Sequence, residues 1–170
     1  SVNGDMVHTT CIREDWLEAV DLPMPKTIDE LTEALRRFTF NDPDGDGQNN
    51  TYGISLPGLH NNLINGCLPA IFGAYGILPN KWVYEDDGTL TYGIISQGYK
   101  QALKQMASWY AEGLFDPEWV TLDNGTYQNK ITNGVIGFWA YSNPSYMNYS
   151  NPTSVPSLTV ANNPNAKLTY

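Results

Sequence analysis

The stretch NDPDGDGQNN (41–50) places three aspartates, Asp42, Asp44 and Asp46, at alternate positions. Carboxylates this close together repel one another unless a cation lies between them. Counted from Asp42 as position 1, the carboxylates fall at positions 1, 3 and 5, and a glycine at position 6 permits a sharp turn. The carbonyl of Gln48 and the side chain of Asn50 continue the spacing at positions 7 and 9. This is the spacing of a calcium-binding loop, and hard oxygen ligands suit Ca²⁺.

The same loop departs from a complete calcium-binding helix–loop–helix in two ways. Position 12 is Gly53, so the bidentate glutamate is missing, and the residues after the loop have the pattern of a strand. Three carboxylates predict a weak site, which is adequate where calcium is roughly millimolar, as it is outside the cell. The alternative is a solvated Asp/Gly turn that binds no ion.

The elements that must position this loop are predicted from hydrophobic periodicity and capping residues. Thr27 and Glu30 have the spacing of a capping box, and Asp87-Gly88 has the composition of a hairpin turn. Helices are predicted for 13–20, 25–38, 98–113 and 126–134, broken helix for 61–76, strands for 6–12, 51–56 and 135–141, and a β-hairpin for 81–93. For the second long helix, the predicted inner side is Tyr99, Ala102, Leu103, Met106 and Trp109. Helices that alternate with strands predict one α/β domain over 1–170, with a mostly parallel sheet flanked by helices.

Composition narrows the classes of partner. The formal net charge is −9, from 18 acidic and 9 basic residues, and no run of Lys or Arg occurs. Nucleic acid and anionic membrane surfaces are therefore poor partners. No apolar run approaches the roughly 18 residues of a membrane span. The two cysteines lack metal-type spacing, so we expect Cys11 to be a buried thiol, and a disulfide with Cys67 stays open.

Side chains for covalent catalysis are not evident in the sequence. It contains two histidines, and it has no nucleophile elbow, phosphate-binding loop or zinc motif. Asp15, Asp116 and Glu118 are carboxylates of the kind that hydrolyse glycosides, but nothing in the sequence brings two of them into one cleft. Asp116-Pro117 has the pattern of a turn. The chain is therefore predicted not to be an enzyme.

Ligand-binding residues are suggested by the two loops that follow buried strands. The segment GFWAYSNPSY carries Trp139, Tyr141 and Asn143, and the segment PGLHNN carries His60 and Asn61. Ligands of α/β sheets bind at the carboxyl ends of the strands. A sugar needs aromatic faces for its C–H surfaces and short polar side chains for its hydroxyls, and both loops offer that mixture. For Trp139, core packing is an equal alternative.

Several motifs together resemble a known family. The segment IREDWLEAVDLPMPKTIDELTEALRRFTFNDPDGDGQNNTYGI is similar to extracellular solute-binding protein family 1, the sugar-binding lipoproteins of bacterial ABC importers. The family pattern joins a strand-to-helix step, a Pro-x-Thr-x-x-Glu-Leu helix and an Asp-Pro-Asp-Gly-x-Gly loop. FGAYG, WYAEGLFDPEW and KITNGVIGFWAY follow in the family's order, so the similarity extends over about 7 to 141.

The resemblance implies a two-lobed protein of the periplasmic-binding-protein type II fold, which closes on an oligosaccharide and delivers it to ABC permease subunits. Family members are over twice as long, so this chain would be most of the second lobe, without the amino-terminal lobe and the lipid anchor. The implied location is the extracellular cell surface or the periplasm. Implied ligands of a structural Ca²⁺ are Asp42, Asp44, Asp46, Gln48 through its carbonyl, Asn50 and Thr51, and implied sugar contacts are Trp139, Tyr141 and Arg13.

Two other classes of protein share some of these features. A calcium-stabilised carbohydrate-active enzyme, or its accessory carbohydrate-binding module, would also combine an acidic loop with many aromatic residues. A dockerin-like interaction module carries the acidic loop twice in a much shorter chain, whereas here the loop occurs once. Carbohydrate binding for import is the reading that accounts for all the motifs together.

Overall fold

The computed structural model describes residues 9–58, 69–79, 81–141 and 150–170. Within these ranges the helices are Glu14–Ala19 (α1), Ile28–Phe40 (α2), Pro69–Gly73 (α3), Gln97–Ala111 (α4), Asn124–Thr132 (α5) and Val155–Asn162 (α6), with a 3-10 turn at Gly93–Ile95. The strands are Thr9–Arg13 (β1), Tyr52–Ile54 (β2), Trp82–Tyr84 (β3), Leu90–Tyr92 (β4), Ile136–Tyr141 (β5) and Leu168–Thr169 (β6). The predicted α/β class is confirmed, and the predicted elements occur with shifted ends.

The main sheet has the strand order β2-β5-β1-β6. β2 and β5 are parallel, whereas β1 is antiparallel to both of its neighbours. The prediction of a mostly parallel sheet is therefore wrong. The chain forms two helices, α1 and α2, between β1 and β2, and β2 runs opposite to β1. β1 is thus the reversed strand of the described sheet.

Helix α2 begins and ends where the sequence indicates. The Thr27 hydroxyl oxygen accepts a hydrogen bond from the Glu30 backbone N–H at 3.2 Å, and the Glu30 carboxylate accepts one from the Thr27 N–H at 3.0 Å. This capping box satisfies backbone donors at the start of the helix. At the other end, the Thr51 hydroxyl donates to the Phe38 carbonyl at 2.7 Å, which holds the end of α2 beside the start of β2. The acidic loop spans this connection.

Buried side chains fill both faces of the sheet. On one face, α1, α2 and α4 contribute Trp16, Leu35, Phe38 and Trp109, while on the other face α5 contributes Tyr127 and Ile131. α2 lies very close to β5, because a Cβ added at Gly137 would be 2.3 Å from Cδ2 of Phe38. The two helical layers and the sheet between them hold the strand ends in fixed positions.

The hairpin and helix α4 follow the predicted pattern with one exception. β3 and β4 pair antiparallel, with Trp82 opposite Tyr92, and Gly88 supplies the positive φ of the turn, at 81°. In α4, Ala102 and Trp109 are buried as predicted, but Leu103 is 43% exposed. The prediction for Leu103 is wrong because nothing in the described part of the chain covers that side of the helix.

Two further expectations concern the membrane and the cysteines. No helix among the described residues has the length and apolar character needed to cross a membrane. Cys11 is a buried free thiol, and burial raises the pKa of this thiol far above its ordinary value, which leaves it unreactive. Cys67 lies outside the described residues.

Candidate functional site

The acidic loop gathers its three carboxylates around one point. Oxygens of Asp42, Asp44 and Asp46 lie within 4.8 Å of one another. Positive φ angles at Asp42 (47°), Gly45 (72°) and Gly47 (78°) fold the backbone back on itself. Glycine adopts this conformation without strain, whereas aspartate adopts it less readily. The loop therefore has the tight turn that the sequence predicts.

Hydrogen bonds within the loop hold the carboxylates in this arrangement. Asp42 accepts from the Gly47 backbone N–H at 3.0 Å, and Asp46 accepts from the Gln48 backbone N–H at 2.7 Å. The Asn50 side-chain amide donates to the second oxygen of Asp46 at 3.0 Å. Backbone and amide donors therefore neutralise part of the negative charge, and no cationic side chain of the described residues forms an ion pair with these carboxylates.

Two observations test whether the loop fits a bound cation. Oδ1 of Asp42 is buried and has no hydrogen-bond partner among the described residues, which is costly for a carboxylate oxygen. The pKa of Asp44 is raised, first by partial burial, then by its hydrogen bond with Asp42 and by the charge of Asp46. A divalent cation would satisfy the orphaned oxygen and relieve the repulsion. The donor set, which consists of oxygens only, fits a hard ion such as Ca²⁺.

The outer residues of the predicted ligand set differ in their suitability. Gln48 and Asn50 are exposed and hydrogen-bond to Asp46, so both lie beside the carboxylates. Thr51 is 2% exposed and its hydroxyl donates to the Phe38 carbonyl, which argues against this side chain as a ligand. Gly53 has no room for the glutamate of a full calcium loop, since an added Cβ would lie 2.6 Å from the Leu35 carbonyl oxygen.

The carboxyl ends of β2, β5 and β6 lie along one edge of the main sheet, as the strand directions require. We call this the carboxyl edge. Tyr141 ends β5 there, with its backbone paired to Thr9 at the start of the reversed strand β1. The predicted contacts His60, Asn61 and Asn143 lie outside the described residues. Tyr141 therefore stays a predicted contact, at the correct edge for one.

The structure argues against two predicted sugar contacts. Trp139 is fully buried among residues of α5 and α6, so neither face of its ring is open for stacking, and the core-packing alternative holds. Arg13 lies at the opposite edge of the sheet, is 4% exposed, and forms two hydrogen bonds to Asp15. Burial and an ion pair make Arg13 a structural residue.

A cavity of about 840 Å³ lies beside the carboxyl edge, between β1, the start of α2 and helix α3. Ile12, Ile28 and Phe138 form part of its apolar wall, and Thr10 and Tyr75 are among its polar lining residues. A cavity of this size is typical of a small-ligand site. The lining residues come from five separate segments of the chain, so no local motif in the sequence marks them as a site.

The carboxylates that might have served hydrolysis are engaged in ion pairs. Nζ of Lys130 lies 2.8 Å from Asp116 and 2.7 Å from Glu118, and Asp116 is completely buried. Burial would lower the pKa of Lys130, but its hydrogen bonds to the two carboxylates outweigh that effect and raise the pKa. Asp15 is paired with Arg13. None of these three carboxylates is therefore available as the acid or base of a hydrolytic pair.

Comparisons with known proteins are consistent with this geometry. No family model matches the chain. The chain is 35% identical over 150 residues to the lipoprotein LipO of Bacillus subtilis, an alignment that covers 81% of this chain and 29% of LipO. It is 33% identical over 128 residues to YtcQ, the polygalacturonan/rhamnogalacturonan-binding protein of the same organism, across 75% of this chain and 25% of YtcQ. The chain thus spans less than a third of the length of these relatives.

Solved structures show the same fold. The ABC-transporter substrate-binding protein FusA of Streptococcus pneumoniae, in complex with kestose, superposes with a TM-score of 0.68 at 28% identity, over 80% of this chain and 28% of FusA. The alginate-binding protein AlgQ2 without calcium ion superposes with a TM-score of 0.66 over 95% of this chain and 31% of AlgQ2, at 22% identity. The predicted periplasmic-binding-protein-like fold is confirmed. These relatives are binding proteins and not enzymes, as the sequence predicted, and the chain belongs to the extracellular solute-binding proteins of ABC transporters.

Proposed function

We propose that this chain binds an oligosaccharide for import by an ABC transporter. The observation that carries the proposal is the common direction of β2, β5 and β6, whose carboxyl ends face the same side of the sheet, with a cavity lined by Thr169 and Tyr170 at the end of β6. FusA, whose structure contains kestose, has this fold and is related in sequence. Substrate-binding proteins capture a ligand without covalent chemistry. The carboxylates of Asp15 and Asp116 are in ion pairs and so are not free to act as a catalytic acid or base, which agrees with this function.

The chain acts in this proposal as one lobe of a two-lobed protein. It covers only 25% to 29% of LipO, YtcQ and FusA, so the relatives have a large part that this chain does not match. A second lobe would close over the carboxyl edge by a hinge motion and bury the ligand from the other side. One lobe alone supplies half of the contacts and excludes little water, so most of the affinity depends on closure.

The proposed sugar contacts are Tyr141 at the end of β5, with His60, Asn61 and Asn143 of the loops that follow β2 and β5. A tyrosine face packs against the C–H surface of a sugar ring, and its hydroxyl serves as donor or acceptor. Asparagine and histidine side chains provide paired donors and acceptors for sugar hydroxyls. The cavity beside the edge extends the surface that a longer oligosaccharide would cover.

Calcium in the acidic loop is the second part of the proposal. The carboxylates of Asp42, Asp44 and Asp46, the carbonyl of Gln48 and the side chain of Asn50 would hold the ion. FusA has an EF-hand that has been mutated in one of its solved structures, at a TM-score of 0.66 to this chain. The ion supplies positive charge that cancels carboxylate repulsion. The loop then fixes α2 against β2, whose carboxyl end leads to the sugar-binding edge.

Partners and location follow from the same proposal. ABC permease subunits would accept the sugar, and the parent protein would be a lipid-anchored or periplasmic protein outside the cytoplasmic membrane. A three-carboxylate loop is suited to that compartment, since roughly millimolar calcium there would occupy even a weak site. LipO, a relative at 35% identity, is itself a lipoprotein.

Isothermal titration calorimetry of the isolated 170-residue chain with kestose and with galacturonate oligomers tests the one-lobe proposal. We expect dissociation constants of about 1 mM or weaker, because a single lobe cannot enclose the ligand. Glucose serves as the control ligand for non-specific heats. Micromolar binding of either oligosaccharide by this chain would contradict the proposal that a second lobe is required.

A further inference from the structure

The cations of this acidic chain are unevenly distributed. All nine lysines and arginines lie within the described residues. Five of them are in ion pairs with carboxylates, namely Arg13, Arg36, Arg37, Lys130 and Lys167. The other four are Lys26, Lys81, Lys100 and Lys104, and of these Lys100 and Lys104 lie together on helix α4. Among the described residues, no carboxylate forms an ion pair with Lys100 or Lys104, although the net charge of the chain is −9.

A groove of about 500 Å³ lies between the 3-10 turn and the outer side of α4. Ile94, Ile95 and Leu103 form its apolar part, and Lys100 and Lys104 line it as well. Ile95 is 76% exposed and Leu103 43% exposed, so both expose apolar surface to water beside the two ammonium groups. We call this surface the lysine groove.

Electrostatics reinforce the positive character of the groove. α4 contains no Asp or Glu, and Lys100 and Lys104 are four residues apart on one helix face, where like charges repel. Lys100 is also in the first turns of the helix, at the positive end of its dipole. The repulsion between the two lysines and the position of Lys100 at the positive end of the dipole both destabilise the helix. A partner that supplies carboxylates would relieve both.

We propose that the lysine groove docks an acidic, amphipathic segment of another protein, with aliphatic side chains on Ile95 and Leu103 and carboxylates on Lys100 and Lys104. The two lysines attract the carboxylates of an acidic partner, whereas the rest of this acidic chain repels them, so charge complementarity directs the partner to the groove. The largely aliphatic lining favours protein side chains over a glycan. The aromatic ring that lines the groove, Tyr99, is already stacked on Phe72, and the exposed rings of Trp82 and Tyr84 are on the hairpin and do not line the groove.

The proposal is tested by fluorescence anisotropy with a labelled synthetic peptide. The peptide is a helix of about 18 residues, with leucines on one face and glutamates on the other. We expect saturable binding that weakens at least about tenfold in the variant Lys100→Glu/Lys104→Glu, and that also weakens when salt rises from about 50 to about 200 mM. Ile95→Ser/Leu103→Ser should weaken it without removing the salt dependence. The basic peptide with lysines in place of glutamates should not bind.

Lys26→Glu/Lys81→Glu is the matched control, since it makes the same charge change at the two lysines that lie outside both the groove and the ion pairs, and it should leave peptide affinity unchanged. Circular dichroism of every variant confirms that α4 still forms. Equal peptide affinity of the wild type and Lys100→Glu/Lys104→Glu would overturn the proposal. So would tighter binding of polygalacturonate through the same lysines, or self-association in sedimentation velocity that these substitutions abolish.

Discussion

Replacing Lys130 by methionine is expected to lower the free energy of unfolding by about 3 kcal/mol, because it leaves the charge of Asp116 buried without a counter-ion. Asp116 is fully buried, and its carboxylate also accepts hydrogen bonds from the Ser55 hydroxyl at 3.1 Å and from the Glu118 backbone N–H at 3.1 Å. Methionine keeps an unbranched apolar chain of four atoms in place of the lysine stem and removes only the ammonium group, so the loss reports mainly the charge. Urea unfolding followed by tryptophan fluorescence provides the free energy.

The pair of Asp116 and Lys130 also has a consequence for the carboxyl edge. The Asp116 backbone N–H donates to the Ile54 carbonyl at 2.9 Å, and Phe115 forms a parallel bridge with Ile54. These bonds hold the carboxyl end of β2 against the segment that contains Asp116. We therefore expect that Lys130→Met loosens this end of β2 before the protein unfolds globally.

Two matched variants separate the buried charge from its exposed neighbour. Glu118 is the exposed partner of Lys130, and solvent screens its charge, so Glu118→Gln should leave the free energy of unfolding nearly unchanged. Asp116→Asn/Lys130→Met should be less destabilised than Lys130→Met alone, since it removes the uncompensated charge. A Lys130→Met variant as stable as the wild type would contradict the structural role assigned to this ion pair.

The substitution Asp44→Asn is expected to destabilise the protein in calcium but not in EDTA. In EDTA the raised pKa of Asp44 means that folding disfavours the charged carboxylate. The stability of the ion-free protein therefore decreases as the pH rises from the ordinary carboxylate range through the raised pKa of Asp44. At neutral pH, asparagine removes that penalty, so Asp44→Asn should be at least as stable as the wild type in EDTA.

In calcium the same substitution should be destabilising, since a ligand is lost. At a calcium concentration of about ten times the dissociation constant, binding to the wild type adds about 1.4 kcal/mol, which raises the unfolding midpoint by about 3 °C. The Asp44→Asn protein should gain less than half of this. Differential scanning calorimetry in EDTA and in calcium measures all four states, with magnesium as the control for ionic strength. A midpoint that calcium leaves unchanged in the wild type would contradict the metal site.

Features that depend on neighbouring residues were predictable from the sequence. The capping box of Thr27 and Glu30 and the turn of the acidic loop are each set within a few residues, and both are present. The order of the elements from β1 to β5 was predictable for the same reason, whereas helix α6 was not predicted. Gly53 is different, because its need for glycine comes from the approach of Leu35, which only the packing of α2 on β2 reveals.

Features that depend on distant parts of the chain were predicted less well. Trp139 lies in a strand, where an aromatic side chain can either pack in the core or contact a ligand. Its burial by α5 and α6 shows that it packs in the core. Arg13 ends a strand, but the reversed direction of β1 puts that end away from the carboxyl edge. The cavity combines residues of β1, α2, α3, β5 and β6, whose proximity no short-range pattern encodes.

The central claim is that sugar binds at the carboxyl edge of the main sheet. A ¹⁵N-labelled NMR titration of the chain with kestose, at concentrations up to about ten times a millimolar dissociation constant, tests it most directly. We predict saturable shifts in the backbone amides of Thr10, Tyr141 and Tyr170, which a Tyr141→Ala variant weakens and glucose does not reproduce. Shifts confined to the opposite edge around Arg13, or spectra unchanged by both kestose and galacturonate oligomers, would contradict the claim.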